Sequence, residues 1–184
     1  MFEWHEISSP WRAIIVDRFL PEDILTEAFD HIIDTEYEYN IDYRGNGRIE
    51  FDVLRMHALW RLLYSKEMSA FISAIYLRRA KLNQENLIQI RRMTEDTPEF
   101  PVHNDYILGK DSVISFLYLS PSWSPERRGR LVMHENPQGT GEISFIDPIQ
   151  NRLVLFQNCR KNWHSVERVT DWTRYAILSV WDLS

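Results

Sequence analysis

The sequence predicts an α+β fold in which N-terminal helices buttress a two-sheet β-sandwich or jelly roll. Three observations carry that expectation. Helical periodicity is confined to the stretch before about residue 82. From Leu87 onward the apolar residues come in strand-length runs separated by turn sequences. The composition, 44% hydrophobic and only 26% charged with seven Trp, eight Tyr and nine Phe, is that of a chain with an aromatic core and not of a disordered one. With 184 residues, no repeat and no Gly/Ser linker, a single domain spanning 1–184 is expected, with helical support over about 19–82 and the jelly roll over about 87–182.

The first element is the segment LPEDILTEAFDHIID. It places Ile24, Leu25, Ala28, Phe29, Ile32 and Ile33 on one helical stripe, with Pro21 near the first turn and acids after it. A second helical stretch runs from about Leu54 to Ala80 and carries Leu59, Leu62, Leu63, Phe71, Ile75 and Leu77. Ser65 is a suitable N-cap at which it would break. YRGNGRIEF between the two reads as a loop. The strands follow in order as LIQIRRM, SVISFLYL, RLVMHE, EISFI, RLVLF and RYAILSVW, punctuated by PSWSPERRG, NPQGTG and DPIQN.

Charge and targeting signals narrow the function classes. A net charge of −6 and a pI near 5.5 supply no positive field for a nucleic-acid backbone, so nucleic acid is not an expected partner. The longest apolar runs are shorter than the roughly 20 residues a membrane helix needs, so no membrane association is expected. Cys159 is the single cysteine, and MFEWHEISSPWR lacks the order of a secretion signal, so a cytoplasmic location is expected. Arg91-Arg92 and Arg127, Arg128 and Arg130 form local clusters suited to an anionic small molecule or to a solvated strand edge.

Three of the six histidines, His5, His31 and His57, have no partner at ligand spacing and read as surface or packing residues. His134 and Trp123 lie near turns and receive no role. His103 and Asp105, in PVHNDY, differ: in an extended segment residues two apart point the same way, so an imidazole and a carboxylate can converge on one cation. H-x-D alone is a weak signal, because such loops often cap themselves. His164, in KNWHSVERV 59 positions after Asp105, supplies a third ligand. Two imidazoles and one carboxylate form a facial triad that leaves metal positions open and suits non-haem Fe(II).

With Arg174 ten residues beyond His164, the pattern resembles the Fe(II)/2-oxoglutarate-dependent dioxygenases, and most closely their prolyl 4-hydroxylase-like branch. The blocks that carry the resemblance are Tyr118-Leu119-Ser120, Gly129-Arg130-Leu131, Arg152 to Phe156, Arg174-Tyr175 with Trp181, and the opening FLPEDI. They span about residues 19–182. The resemblance implies a double-stranded β-helix (jelly roll) core, iron on His103, Asp105 and His164, and the distal carboxylate of the cosubstrate 2-oxoglutarate on Arg174, with the Tyr118 hydroxyl sharing it. A guanidinium can hold that carboxylate bidentately.

The implied reaction consumes O2, releases succinate and CO2, and hydroxylates an unactivated C–H of an amino acid, a peptide or a natural-product intermediate. Desaturation, epimerisation and cyclisation use the same iron site. Asp105 favours hydroxylation over halogenation, since halogenases of the family replace this carboxylate with a small residue. Two positions depart from the pattern: Met93 stands where some relatives carry a tyrosine touching the cosubstrate, and the Gly-Gly turn is reduced to Arg128-Gly129. Two other readings stay open. Zinc on the same three residues would activate water for hydrolysis, and a non-catalytic jelly roll would be a binding module.

Overall fold

The computed structural model describes residues 3–34, 47–50, 57–83, 89–106 and 110–184. Two short strands, β1 (His5–Ile7) and β2 (Ala13–Val16), precede helix α1 (Glu22–Ile33). Pro21 caps α1, Glu22 and Asp23 complement the helix dipole in its first turn, and Leu25, Ala28 and Ile32 are buried. Ile33, expected on the buried stripe, is 47% exposed at the helix end.

β3 (Gly47–Glu50) is followed by α2 (His57–Leu63) and α3 (Lys66–Tyr76). The expected break occurs where Ser65 accepts a hydrogen bond from the Met68 amide at 3.0 Å. Two expectations are corrected here. The second helix does not reach Ala80, because Leu77 adopts the left-handed conformation, which ends α3 and turns its side chain to solvent. Ala80–Leu82 instead forms β4. YRGNGRIEF is not all loop, since Gly47–Glu50 is a strand, held by a partner distant in sequence; residues 43–46 and 51, like 54–56 and 87–88 of the expected elements, lie outside the described residues.

The C-terminal half is β5 (Gln89–Met93), β6 (Phe100–His103), β7 (Ser112–Tyr118), β8 (Leu131–His134), β9 (Ile143–Ile146), β10 (Arg152–Asn158), β11 (Trp163–Val166) and β12 (Arg174–Leu183). All pairings are antiparallel. Among the described residues an eight-stranded sheet runs β1-β2-β10-β7-β12-β5-β3, with β4 also on β12, and a four-stranded sheet runs β6-β11-β8-β9. The two sheets enclose a core, the arrangement of a jelly roll with helices packed on one outer face.

Strand alternation sorts the side chains into two cores. On β7, β10 and β12, Leu117, Leu155, Ile177 and Trp181 face the helices and meet Leu25, Ile32, Met68 and Ile72. Their neighbours Phe116, Tyr118, Phe156, Ala176 and Leu178 face the smaller sheet. Because these central strands are covered on both faces, they read in the sequence as continuous apolar runs and not as alternating ones. Among the described residues no helix is long and apolar enough to cross a membrane.

Candidate functional site

β6 and β11 bring the metal-binding candidates together. They are antiparallel neighbours in the smaller sheet, and their register sets His164 directly opposite His103, with ring centroids 4.2 Å apart. Asp105 follows two residues after β6 and closes the group. His103 Nε2 lies 3.6 Å from Asp105 Oδ1 and His164 Nε2 lies 3.4 Å from Asp105 Oδ2. One ligand atom from each of the three falls within 4.8 Å of the others.

Each imidazole is aimed by the backbone carbonyl two residues before it. His103 Nδ1 donates to Pro101 O at 2.8 Å, and His164 Nδ1 donates to Asn162 O at 3.0 Å. Those bonds use Nδ1 of each ring and turn both Nε2 atoms toward Asp105, the orientation in which they would ligate a metal. Asp105 is held through its backbone, whose carbonyl accepts from Asn158 Nδ2 at 2.7 Å. An irregularity in the β6–β11 ladder between His164 and Val166 lets both Phe100 and His103 face the cavity, although residues three apart on a regular strand would face opposite ways.

Electrostatics favour ligand-ready protonation. Burial, with the neighbouring His164 ring, lowers the His103 pKa to about 4 despite the opposing pull of Asp105. Burial works against ionisation of Asp105, but the His164 and His103 rings and Arg91 outweigh it, and its carboxyl sits below the ordinary value. Near neutral pH His103 is therefore a neutral base and Asp105 an anion.

The same cavity, about 80 Å³, is lined by Arg174, Met93, Phe116 and Leu178 from the larger sheet as well as by the His-Asp-His group. Arg174 opens β12 opposite Met93 on β5 and is only 2% exposed. Its guanidinium lies over the Tyr118 ring at 4.9 Å, and one Nη meets Met93 Sδ at 3.6 Å. Nε and the other Nη have no hydrogen-bond partner among the described residues, and neither has the buried Tyr118 hydroxyl. Burial raises the Tyr118 pKa against the pull of Arg174, so the hydroxyl keeps its proton as a donor. A buried cation with unsatisfied donors beside an unsatisfied hydroxyl is chemically matched to a carboxylate.

The turn before β8 supports this arginine. Arg128 and Gly129 both have positive φ, 54° and 76°. A Cβ on Gly129 would lie 2.7 Å from Val169 Cγ1 and 3.4 Å from Arg174 Cδ, so this position has no room for a side chain.

The other residues singled out in the sequence separate clearly. Arg130 forms a two-pronged pair with Glu167 at 2.8 and 2.9 Å, and Arg128 lies 3.8 Å from the same carboxylate. Arg91 lines the cavity, whereas Arg92 is the next residue along β5 and is not among its lining residues. His134 bonds Ser165 Oγ at 2.8 Å and Trp123 donates to Arg128 O at 2.7 Å, both away from the cavity. His5 is exposed and His31 half-buried; the side chain of His57 lies outside the described residues. Phe100, Val166 and Asn158 were not anticipated. Phe100 and Val166 depend on the β6–β11 ladder, and no local motif marks Asn158 as the residue that bonds the Asp105 backbone.

Residues 88–181 match the family model described as "2OG-Fe(II) oxygenase superfamily". No curated protein matches the chain. Among solved structures it is similar to a prolyl hydroxylase from Trichoplax adhaerens in complex with a hypoxia inducible factor peptide fragment, with TM-score 0.65 and 20% identity over 93% of this chain and 83% of that one. A Pseudomonas putida prolyl-4-hydroxylase gives 0.67 and 19% over 100% and 93%. HygX from Streptomyces hygroscopicus, with nickel and 2-oxoglutarate bound, gives 0.70 and 12% over 92% and 82%. At these identities the likeness is one of fold.

Proposed function

The chain belongs to the 2OG-Fe(II) oxygenase superfamily, and on that premise we propose that His103, Asp105 and His164 hold its iron while Arg174 and Tyr118 hold the distal carboxylate of 2-oxoglutarate. One observation carries this reading: a single cavity joins a preorganised His-Asp-His group to a buried guanidinium whose donors lack partners. The residues fit the cofactor and the cosubstrate on chemistry alone, two imidazole nitrogens and one carboxylate for Fe(II) and a cation with a hydroxyl for the anion.

When bound there, Fe(II) with 2-oxoglutarate and O2 supplies the oxidation: one oxygen atom goes into succinate as CO2 leaves, and the other goes to the substrate C–H. The protein's own contribution is geometric. Pro101 O and Asn162 O keep the imidazole protons on Nδ1. Asn158 holds the Asp105 backbone. Arg174, stacked on Tyr118, orients the cosubstrate by its far end. Met93, Phe100, Phe116, Val166 and Leu178 form apolar walls that limit water around the reacting groups. The product is a hydroxylated amino acid, peptide or small natural-product intermediate.

Anaerobic titration of Fe(II) and 2-oxoglutarate into the apoprotein tests the reading without knowledge of the substrate. The expected result is a visible metal-to-ligand charge-transfer band that is lost in His164→Ala and needs much more 2-oxoglutarate in Arg174→Ala. An intact wild-type protein that develops no band rules the reading out.

A further inference from the structure

We propose that the substrate carries a carboxylate or phosphate, and that Arg160, seated on Tyr106 in the paired loops next to Asp105, grips that oxyanion. This assignment rests on the iron reading above and adds the chemical class of the substrate.

The two loops are tied to each other. One is Asn104-Asp105-Tyr106, just after β6. The other is the turn Cys159–Lys161 between β10 and β11, which leads into His164. Asn104 Nδ2 donates to Arg160 O at 3.3 Å, the Tyr106 amide donates back to Asn104 Oδ1 at 3.3 Å, and Asn158 fastens the Asp105 carbonyl at 2.7 Å. The Arg160 backbone is thus tied to Asn104, the residue next to Asp105. Its guanidinium lies 5.2 Å from the centre of the Tyr106 ring. Stacking on an aromatic face orients the planar fork while leaving its N–H edge free for a bidentate contact.

The chain has 27 acidic against 21 basic residues, yet among the described residues Arg160 is exposed and has no carboxylate partner. In the turn before β8, Arg128 and Arg130 are committed to Glu167. In a filled site Asp105 and the two carboxylates of 2-oxoglutarate would be matched by a divalent metal and Arg174, which leaves none of those negative charges to Arg160. A neutral or cationic group entering past Asp105 would gain nothing from this arrangement, whereas an oxyanion would gain a charge-assisted, two-pronged contact.

The test uses the full chain loaded with Zn(II), as a redox-inert substitute for iron, and with 2-oxoglutarate. The Arg side-chain Nε–H resonances are followed by NMR during titration with N-acetylglycine, methyl phosphate and the neutral N-acetylglycinamide. The expected result is a saturable shift of the Arg160 signal with one or both anions and none with the amide. The two anion arms separate a carboxylate from a phosphate substrate. In Arg160→Gln, with binding followed through backbone amides of residues 104–106, affinity for the anion should fall about tenfold, as for loss of one charge-assisted hydrogen-bonded contact. Tyr106→Phe should keep the site and Tyr106→Ala should weaken it. Equal response to acid and amide, unchanged affinity in Arg160→Gln, or no saturable response overturns the proposal. The charge-transfer band of the Fe(II) complex, measured on the wild type, reports separately on the iron reading.

Discussion

Replacing Arg174 by Met separates a ligand-binding arginine from a structural one, because the two roles predict opposite thermal behaviour. The side chain is 2% exposed, and its Nε and one Nη are unsatisfied among the described residues. A buried charge without an anion is a liability to the ligand-free fold; exchanging even a buried ion pair for apolar side chains of similar volume is neutral or gains about 1–4 kcal/mol, and removing this unpaired charge should gain on that order. Loss of the contact with the Tyr118 ring at 4.9 Å returns about 2 kcal/mol of that. The ligand-free variant should therefore melt within a few degrees of wild type. Binding should respond very differently. Removing one partner of a buried charge pair costs about 2–5 kcal/mol, roughly 30-fold to several-thousand-fold in Kd. With an inert divalent metal and 2-oxoglutarate at a hundredfold excess over the wild-type Kd, wild type should gain about 2.7 kcal/mol. For a protein of this size that is a Tm rise of about 5–10 °C. The variant at the same concentration should gain at most about 0.9 kcal/mol, under about 4 °C. Thermal melts with and without 2-oxoglutarate make the measurement. A variant that loses several kcal/mol of ligand-free stability but keeps the full 2-oxoglutarate shift would refute the assignment of Arg174.

Gly129→Ala should cost about 1–3 kcal/mol in denaturant unfolding, since its Cβ would lie 2.7 Å from Val169 and its φ of 76° disfavours a side chain; pressure on Arg174 Cδ should also weaken 2-oxoglutarate binding in the same charge-transfer titration. Acidification should destabilise the metal-free protein between pH 6.5 and about pH 4, because burial lowers the His103 pKa to about 4, so that in this window the unfolded chain binds the proton and the folded chain does not. The part due to His103, about 3 kcal/mol when complete, should disappear in His103→Gln, and a wild-type stability that is flat across this range in urea titrations would contradict it.

How much was legible beforehand depends on how local each feature is. The runs SVISFLYL, RLVLF and RYAILSVW are strands because their residues are apolar on both faces, which the sequence states directly. β3 and β4 were not legible, since GRIE and AKL have no strand pattern of their own and owe their conformation to β5 and β12. The loop expected over YRGNGRIEF failed for that reason. Leu77 shows the converse: an apolar residue at helical spacing that a left-handed cap turns outward.

By itself the sequence determined the chemistry available: two histidines, an aspartate and an arginine, in an order and spacing that resemble a metal site with an anion partner. Only the tertiary structure decided their convergence. Cross-strand register set His164 against His103, the irregular β6–β11 ladder turned Phe100 and His103 to the same side, and strand parity put Arg91 but not Arg92 on the cavity wall. Packing of the Gly129 turn under Arg174, and the link from Asn158 to Asp105, likewise join residues far apart in the chain. Side-chain identity is a local property, whereas burial and cross-strand hydrogen bonding depend on which distant segment becomes the neighbour.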